Sequence, residues 1–204
     1  MIFTVAIDGP AAAGKGTIAR AIARETGFAH LDTGLLYRAV GLRALDGDDP
    51  VRAARSVDPT SLDDPCLRHA DVAQAASRVA VIPEVRAALL EFQRTFARRD
   101  GGAVMDGRDI GTVICPEAEV KLFVTASDLA RASRRYDELR AAGQEVTLDG
   151  TLDEVRARDA RDAARATAPL RAASDAVVID TSDLGVDDAV AAALSVVRRR
   201  LAGA

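Results

Sequence analysis

Phe3-Thr4-Val5-Ala6-Ile7-Asp8-Gly9-Pro10-Ala11-Ala12-Ala13-Gly14-Lys15-Gly16-Thr17 joins a short apolar run to a glycine-rich turn, and the helical pattern of residues 18–23 follows directly. Strand, turn and helix in that order aim backbone N–H groups and a helix start at an anion, and the lysine adds a flexible ammonium able to reach β- and γ-phosphates. Lys15 is one of only two lysines among 27 basic residues. A planar guanidinium cannot replace that compact point charge, so this lysine reflects the chemistry of the turn rather than the composition of the chain. Gly9, Pro10, Ala11, Ala12, Ala13, Gly14, Lys15, Gly16 and Thr17 are accordingly expected to cradle phosphates. The usual pattern has Ser or Thr directly after the lysine, whereas here Gly16 intervenes before Thr17. Magnesium is then expected to be held largely through water and substrate phosphates, which suits its reluctance to shed its hydration shell, with Thr17 contributing.

Outward from this unit, short apolar runs at 3–7, 29–31, 103–105, 120–124 and 176–179 alternate with helical patterns at 17–26, 34–45, 70–80, 84–99, 128–142, 152–164 and 186–202. That alternation predicts an α/β fold with a parallel sheet covered by helices. Asp8, Asp32, Asp106 and Asp180 each stand where a predicted strand ends, and ligands of open α/β sheets gather at the carboxyl ends of strands. Residues 46–65 are rich in Asp and Pro and read as a loop. Residues 128–169 carry many Arg, Asp and Ala, break at Gly143 and Asp149-Gly150, and read as a helical hairpin standing off the core.

A chain of 204 residues accommodates one α/β core with small appendages. Its net charge of -4 argues against nucleic acid as a main partner, although clustered arginines can collect small phosphorylated ligands. Cys66 and Cys115 lack metal-ligand spacing and read as reduced cysteines, and no segment is long and apolar enough to span a membrane. These features predict a cytoplasmic protein.

Three further clusters bear chemistry. Asp32-Thr33-Gly34-Leu35-Leu36-Tyr37-Arg38 opens a helix, so Asp32 or Thr33 is either an N-cap or a ligand group, and Arg38 one turn on would face the strand-end crevice. Met105-Asp106-Gly107-Arg108-Asp109-Ile110-Gly111-Thr112 crowds carboxylates, an arginine and glycines at the end of a buried strand. It is either a turn held by a local ion pair or a site where Asp106 orients hydrated magnesium and Arg108 and Asp109 face the acceptor. Arg158, Asp162 and Arg165 fall on one helical stripe, which is either a solvated face or part of a closing flap whose guanidinium groups neutralise charge and exclude water. Ser77 and Arg86, read singly, are ordinary surface residues.

Together, Ile7-Asp8-Gly9-Pro10 through Lys15-Gly16-Thr17, Asp32-Thr33-Gly34 with Tyr37-Arg38, Asp106-Gly107-Arg108-Asp109 with Gly111-Thr112, and Arg158-Asp159 through Arg161-Asp162, Arg165 and Ala168-Pro169-Leu170 closely resemble the bacterial cytidylate kinases. The resemblance implies ATP-dependent phosphorylation of CMP and dCMP on a P-loop nucleoside monophosphate kinase fold, with a five-stranded parallel sheet sandwiched by helices. It implies a core of residues 1–35, 101–127 and 170–204, a nucleoside-monophosphate region at 36–100 and a helical lid at 128–169. It further implies that Thr33, Ser77, Arg86 and Asp109 read the cytosine, that Arg38, Arg108, Arg158 and Arg165 hold the acceptor phosphate, and that Asp162 holds the ribose. Lys15, Arg108, Arg158 and Arg165 would carry the transfer, Thr17 and Asp106 would hold Mg2+ through water, and Arg131 would lie toward the adenine. A monomer with no nucleic-acid or membrane partner is expected. Larger members carry a small three-stranded insert between the helix after Arg38 and the helix bearing Ser77, and the interval here is too short for it.

Cytosine offers an exocyclic amine beside acceptors, matching Asp109 and Arg86, whereas uracil would set a carbonyl against the carboxylate. Rival readings are a regulatory GTPase, a kinase of another small molecule, and a nucleotide-binding module without turnover. The first conflicts with the absence of any Asn and of any Asp-x-x-Gly.

Overall fold

The computed structural model describes residues 1–203. Five strands, β1 (Thr4–Asp8), β2 (Ala29–Asp32), β3 (Ala103–Gly107), β4 (Val120–Thr125) and β5 (Val177–Asp180), form one sheet in the order β2-β3-β1-β4-β5. Every pairing is parallel, with Val5 opposite Val104 on one side and Val120 on the other. β1 is therefore central, and the turn that follows it opens at the middle of the sheet's carboxyl edge.

Side-chain alternation along the strands builds two cores. Val5, Ile7, Val104, Leu122 and Ile179 pack with Ile18 and Ile22 of α1 (Lys15–Thr26) and Ala193 and Val197 of α8 (Val186–Leu201). Ala6, Leu31 and Met105 face the other way, onto α2 (Thr33–Leu45), α4 (Ala70–Val79) and α5 (Pro83–Ala97). The two hydrophobic faces and their helical covers are what the strand spacing predicts.

The predicted loop at 46–65 is corrected in part. It holds α3 (Pro50–Arg55) and a 3-10 turn at Pro59–Asp63, and a second such turn follows at Pro65–Arg68. The Asp49 side chain accepts from Arg52 N and Pro50 sits in the first turn, both helix-start signals. Among the described residues no strand occurs between Arg38 and Ser77.

The hairpin consists of α6 (Asp128–Ala141) and α7 (Leu148–Ala163). Gly143, at φ +77°, ends α6 as expected, but Asp149-Gly150 does not break the chain. Thr147 caps α7 by accepting from Gly150 N, so the helix starts before that pair. Arg165 lies beyond the end of α7 and is not on its stripe. The hairpin does not stand off the core: Arg131 Nη1 donates to Ala11 O at 3.3 Å, and Arg134 donates to Thr181 Oγ1 and O at 3.0 and 2.6 Å.

Candidate active site

The turn after β1 is shaped by close backbone approach. Gly9 has φ +147°, and a Cβ there would lie 1.9 Å from the Val124 carbonyl oxygen, so the chain can pass β4 only without a side chain. Gly14, at φ +92°, leads into α1 with no side-chain cap and no acidic residue in the first turn. The positive end of that helix thus carries no side-chain cap and no carboxylate of its own first turn. The Lys15 ammonium is buried under the turn and donates to Pro10 O at 2.6 Å. Burial, then the positive charge of Arg108, lower its pKa to about 7, against the pull of Asp106 and Asp32.

A cavity of about 540 Å3 opens above this turn. One wall is Ala11, Ala12, Gly14, Lys15, Gly16 and Thr17. The others come from Asp32, Gly34 and Arg38 of α2 and its cap, Arg68 and Gln74, Asp106 and Arg108 after β3, and Arg135, Glu138, Thr151, Glu154, Arg158 and Arg161 of the hairpin. Eight basic side chains face four acidic ones, reversing the sign of the chain as a whole. Burial, then Arg108, push Arg158 down to about 9, and its Nε has no hydrogen-bond partner. Burial lowers Arg38, whose Nη1 donates to Leu67 O at 2.7 Å.

Behind this wall charged groups pair with Arg108 and with one another. Arg108 Nε meets Asp162 Oδ2 at 2.9 Å, and Arg165 meets the other oxygen of the same carboxylate. Burial would raise Asp162, but Arg108, Arg165 and Arg158 hold it below its ordinary range. Arg86 pairs with Asp109 and lies 5.8 Å from the Tyr37 ring centroid. Burial raises Asp109 despite the opposing pull of Arg86 and Arg165. Thr33 Oγ1 donates to Asp106 O at 2.9 Å, and Arg161 Nε reaches Ser77 Oγ at 3.4 Å.

The sequence-predicted residues therefore fall into two layers. Lys15, Thr17, Arg38, Asp106, Arg108 and Arg158 line the cavity with the exposed part of the turn, while Gly9, Pro10 and Ala13 are buried beneath it. Thr33, Ser77, Arg86, Asp109, Asp162 and Arg165 lie behind the lining: Arg86 pairs with Asp109 and Arg165 with Asp162, while Thr33 and Ser77 bond the lining residues Asp106 and Arg161. Arg131 is buried, with its guanidinium bonded to Asp128, Asp159, Ala126 O and Ala11 O. Of the four acidic strand ends, Asp32 and Asp106 line the cavity, but the other two depart from the expectation of one shared crevice. Asp8 turns inward to accept from Ile110 N and Gly111 N, and Asp180 accepts from Ser182. Arg20, Arg68, Arg135 and Arg161 also line the cavity, with no expected role. Arg161 lies within the Arg158–Asp162 motif of the resemblance, which assigns it no role of its own.

Among the described residues no cluster of three or more His, Cys, Asp or Glu side chains could hold a metal. A divalent ion would need ligands from elsewhere, as hydrated magnesium does. Asp32 and Asp106 line the cavity near Thr17, and burial together with the charge of Asp106 raises Asp32. A Cβ at position 16 would lie 3.4 Å from Arg20 Nη1 and 3.9 Å from Asp106 Oδ2, so Gly16 sits between that guanidinium and that carboxylate. Hard carboxylate oxygens beside a phosphate turn are the donor type such an ion takes. His30 Nε2 holds the other Asp106 oxygen at 2.8 Å.

The sequence profile of the Cytidylate kinase family matches residues 5–199. The chain belongs to this family. A protein named cytidylate kinase from Cereibacter sphaeroides (strain KD131 / KCTC 12085) is 61% identical over 202 residues, covering 99% of this chain and 98% of its own. Another from Methylocella silvestris is 57% identical over 200 residues, with coverages of 95% and 93%. Among solved structures, an uncharacterized protein from Eubacterium ventriosum ATCC 27560 superposes with TM-score 0.58 at 14% identity, covering 95% of this chain and 96% of its own. A gluconokinase from Sinorhizobium meliloti 1021 superposes with TM-score 0.51 at 14% identity, with coverages of 97% and 93%. At such identity the structural likeness speaks to the fold alone. Family membership makes this chain an enzyme of the kinase class.

Proposed function

We propose that this kinase transfers the γ-phosphoryl group of ATP to CMP and dCMP, giving ADP and the cytidine diphosphates. The bond from the γ-phosphorus to the β,γ-bridging oxygen breaks, and a bond to an oxygen of the acceptor's phosphate forms. The observation that carries this reading is the two-sided cavity, with the phosphate turn on one wall and Arg38, Arg108 and Arg158 on the others. Such a site can neutralise charge on both reactants while holding them in line, which is most of what phosphoryl transfer asks of a protein.

In this reading residues 9–17 hold the triphosphate and Lys15 reaches the transferring group. Arg38, Arg108, Arg158 and Arg165 hold the acceptor phosphate, which requires Arg38 to leave Leu67 O and Arg108 and Arg165 to loosen from Asp162. Asp162 is freed by the same exchange to take the ribose. Thr33, Ser77, Arg86 and Asp109 read the base, and Arg131 borders the adenine. Thr17 and Asp106 would hold Mg2+ through water, and the ion would neutralise charge on the β- and γ-phosphates. Residues 1–35, 101–127 and 170–204 form the core in this account, Ala204 lying outside the described residues, residues 36–100 bind the monophosphate, and the hairpin at 128–169 is a lid that excludes water. We further assign a monomeric, cytoplasmic enzyme.

A coupled ATPase assay across CMP, dCMP, UMP, AMP and GMP tests the reading. CMP and dCMP should exceed the others in kcat/KM by roughly 100-fold or more, because a mismatched buried acceptor discriminates strongly. Comparable values for UMP and CMP would refute the roles given to Asp109 and Arg86.

A further inference from the structure

Asp8 ends β1 immediately before the phosphate turn, yet its carboxylate faces away from the cavity. Oδ1 accepts from Ile110 N and Oδ2 from Gly111 N, each at 2.7 Å, across more than 100 residues of chain. Those two N–H groups open a five-residue π-helical turn, Ile110–Ile114, that directly follows Asp109. At its far end Arg94 donates to Ile114 O and Val113 O at 3.2 and 3.3 Å. A carboxylate thus sits at the start of the turn and a guanidinium at its end, the orientation that peptide dipoles favour. Such π-helical turns are uncommon and recur beside functional sites. The floor is close as well, since a Cβ at Gly111 would lie 3.2 Å from Lys121 Cδ and 3.3 Å from Asp8 Oδ2.

We propose that Asp8 is a positioning residue that ties the donor turn to the acceptor-reading segment, fixing Arg108 and Asp109 relative to residues 9–17. This rests on the acceptor role given above to Arg108 and Asp109. One carboxylate is the covalent neighbour of Gly9 and the hydrogen-bonded anchor of the turn behind Asp109, so a shift on either side is felt on the other. Its two bonds are buried, and burial raises Asp8 to about 6, with the N–H bonds and Lys15 opposing and Asp109 reinforcing the rise. Ionised, it satisfies both donors. An amide there would set its NH2 against one of them, leaving a buried N–H without an acceptor.

Asp8→Asn tests this, with the acceptor taken as whichever monophosphate the wild type turns over best, so that an error in the base assignment leaves the comparison intact. The expected result is a rise of about tenfold or more in acceptor KM, while the Kd of a fluorescent ATP analogue stays within about twofold. Thermal unfolding is followed in parallel. If Asp8→Asn does not fold, Gly111→Ala decides, since its Cβ presses on Asp8 and Lys121 from the turn side. The same split between acceptor KM and donor Kd, in smaller measure, supports the proposal. Equal changes in both constants, or no change in either, would overturn it and leave Asp8 a purely structural acceptor.

Discussion

The two sides of the cavity are built by different means. The side proposed to take the donor uses consecutive residues, with backbone N–H groups, an uncapped helix start and one buried ammonium in residues 9–17. The facing side gathers guanidinium groups from α2, the end of β3 and the α6–α7 hairpin. Backbone donors cannot be mutated away and need no counterion, so the donor side can rest without one. Guanidinium groups brought together repel and must be desolvated, and here Asp162 and Asp109 occupy Arg108, Arg165 and Arg86. An assembled charge cluster thus carries internal carboxylates that a substrate phosphate would have to displace, and the turn does not.

Lys15→Ala sharpens this contrast most. It should lower kcat by about 100- to 1000-fold while ATP affinity falls by less than about tenfold, because the backbone cradle remains. Fluorescence titration and the coupled assay read the two effects, and loss of binding equal to loss of turnover would mean that the ammonium, not the backbone, makes the donor side. Next comes Arg158→Met, expected to reduce kcat/KM for the acceptor by roughly 100-fold. Because Arg158 bears a disfavoured charge with an unbonded Nε, the thermal midpoint should hold or rise. A lowered midpoint would break the claim that this side trades stability for charge.

The smallest effect is a proton. A lysine depressed to about 7 is mostly neutral at pH 8, and a bound triphosphate should restore its charge. Calorimetry in buffers of different ionisation enthalpy should then show uptake of somewhat less than one proton per ATP at pH 8 and little at pH 6. Equal uptake at both values would contradict the burial of Lys15. The linkage sign is that of a depressed base: its contribution to stability is present above the unfolded value and is lost as pH falls through about 7.

Local chemistry made the donor side legible in sequence. Gly9 through Lys15 announce their turn within a few residues, and the strands follow from alternation that the two cores then use. What could not be read was assembled at a distance. Arg20, Arg68, Arg135 and Arg161 line the cavity, but with so many arginines no single one is marked by its neighbours. A strand-end carboxylate such as Asp8 reads as a ligand group, and only the fold shows two N–H groups a hundred residues on claiming it. Two misreadings were local. Asp49-Pro50 was a helix start within a stretch judged by its composition, and Gly150 was the recipient of the Thr147 cap rather than a break.

The reversal of sign between cavity and chain has a kinetic consequence. A body of net charge -4 repels long polyanions, whereas a recess with eight cationic against four anionic side chains draws in compact ones. Ionic strength should therefore govern how fast a mononucleotide arrives more than how long it stays. With a screening length of about 10 Å at 0.1 M salt, capture would slow as the recess's field is confined to its own mouth.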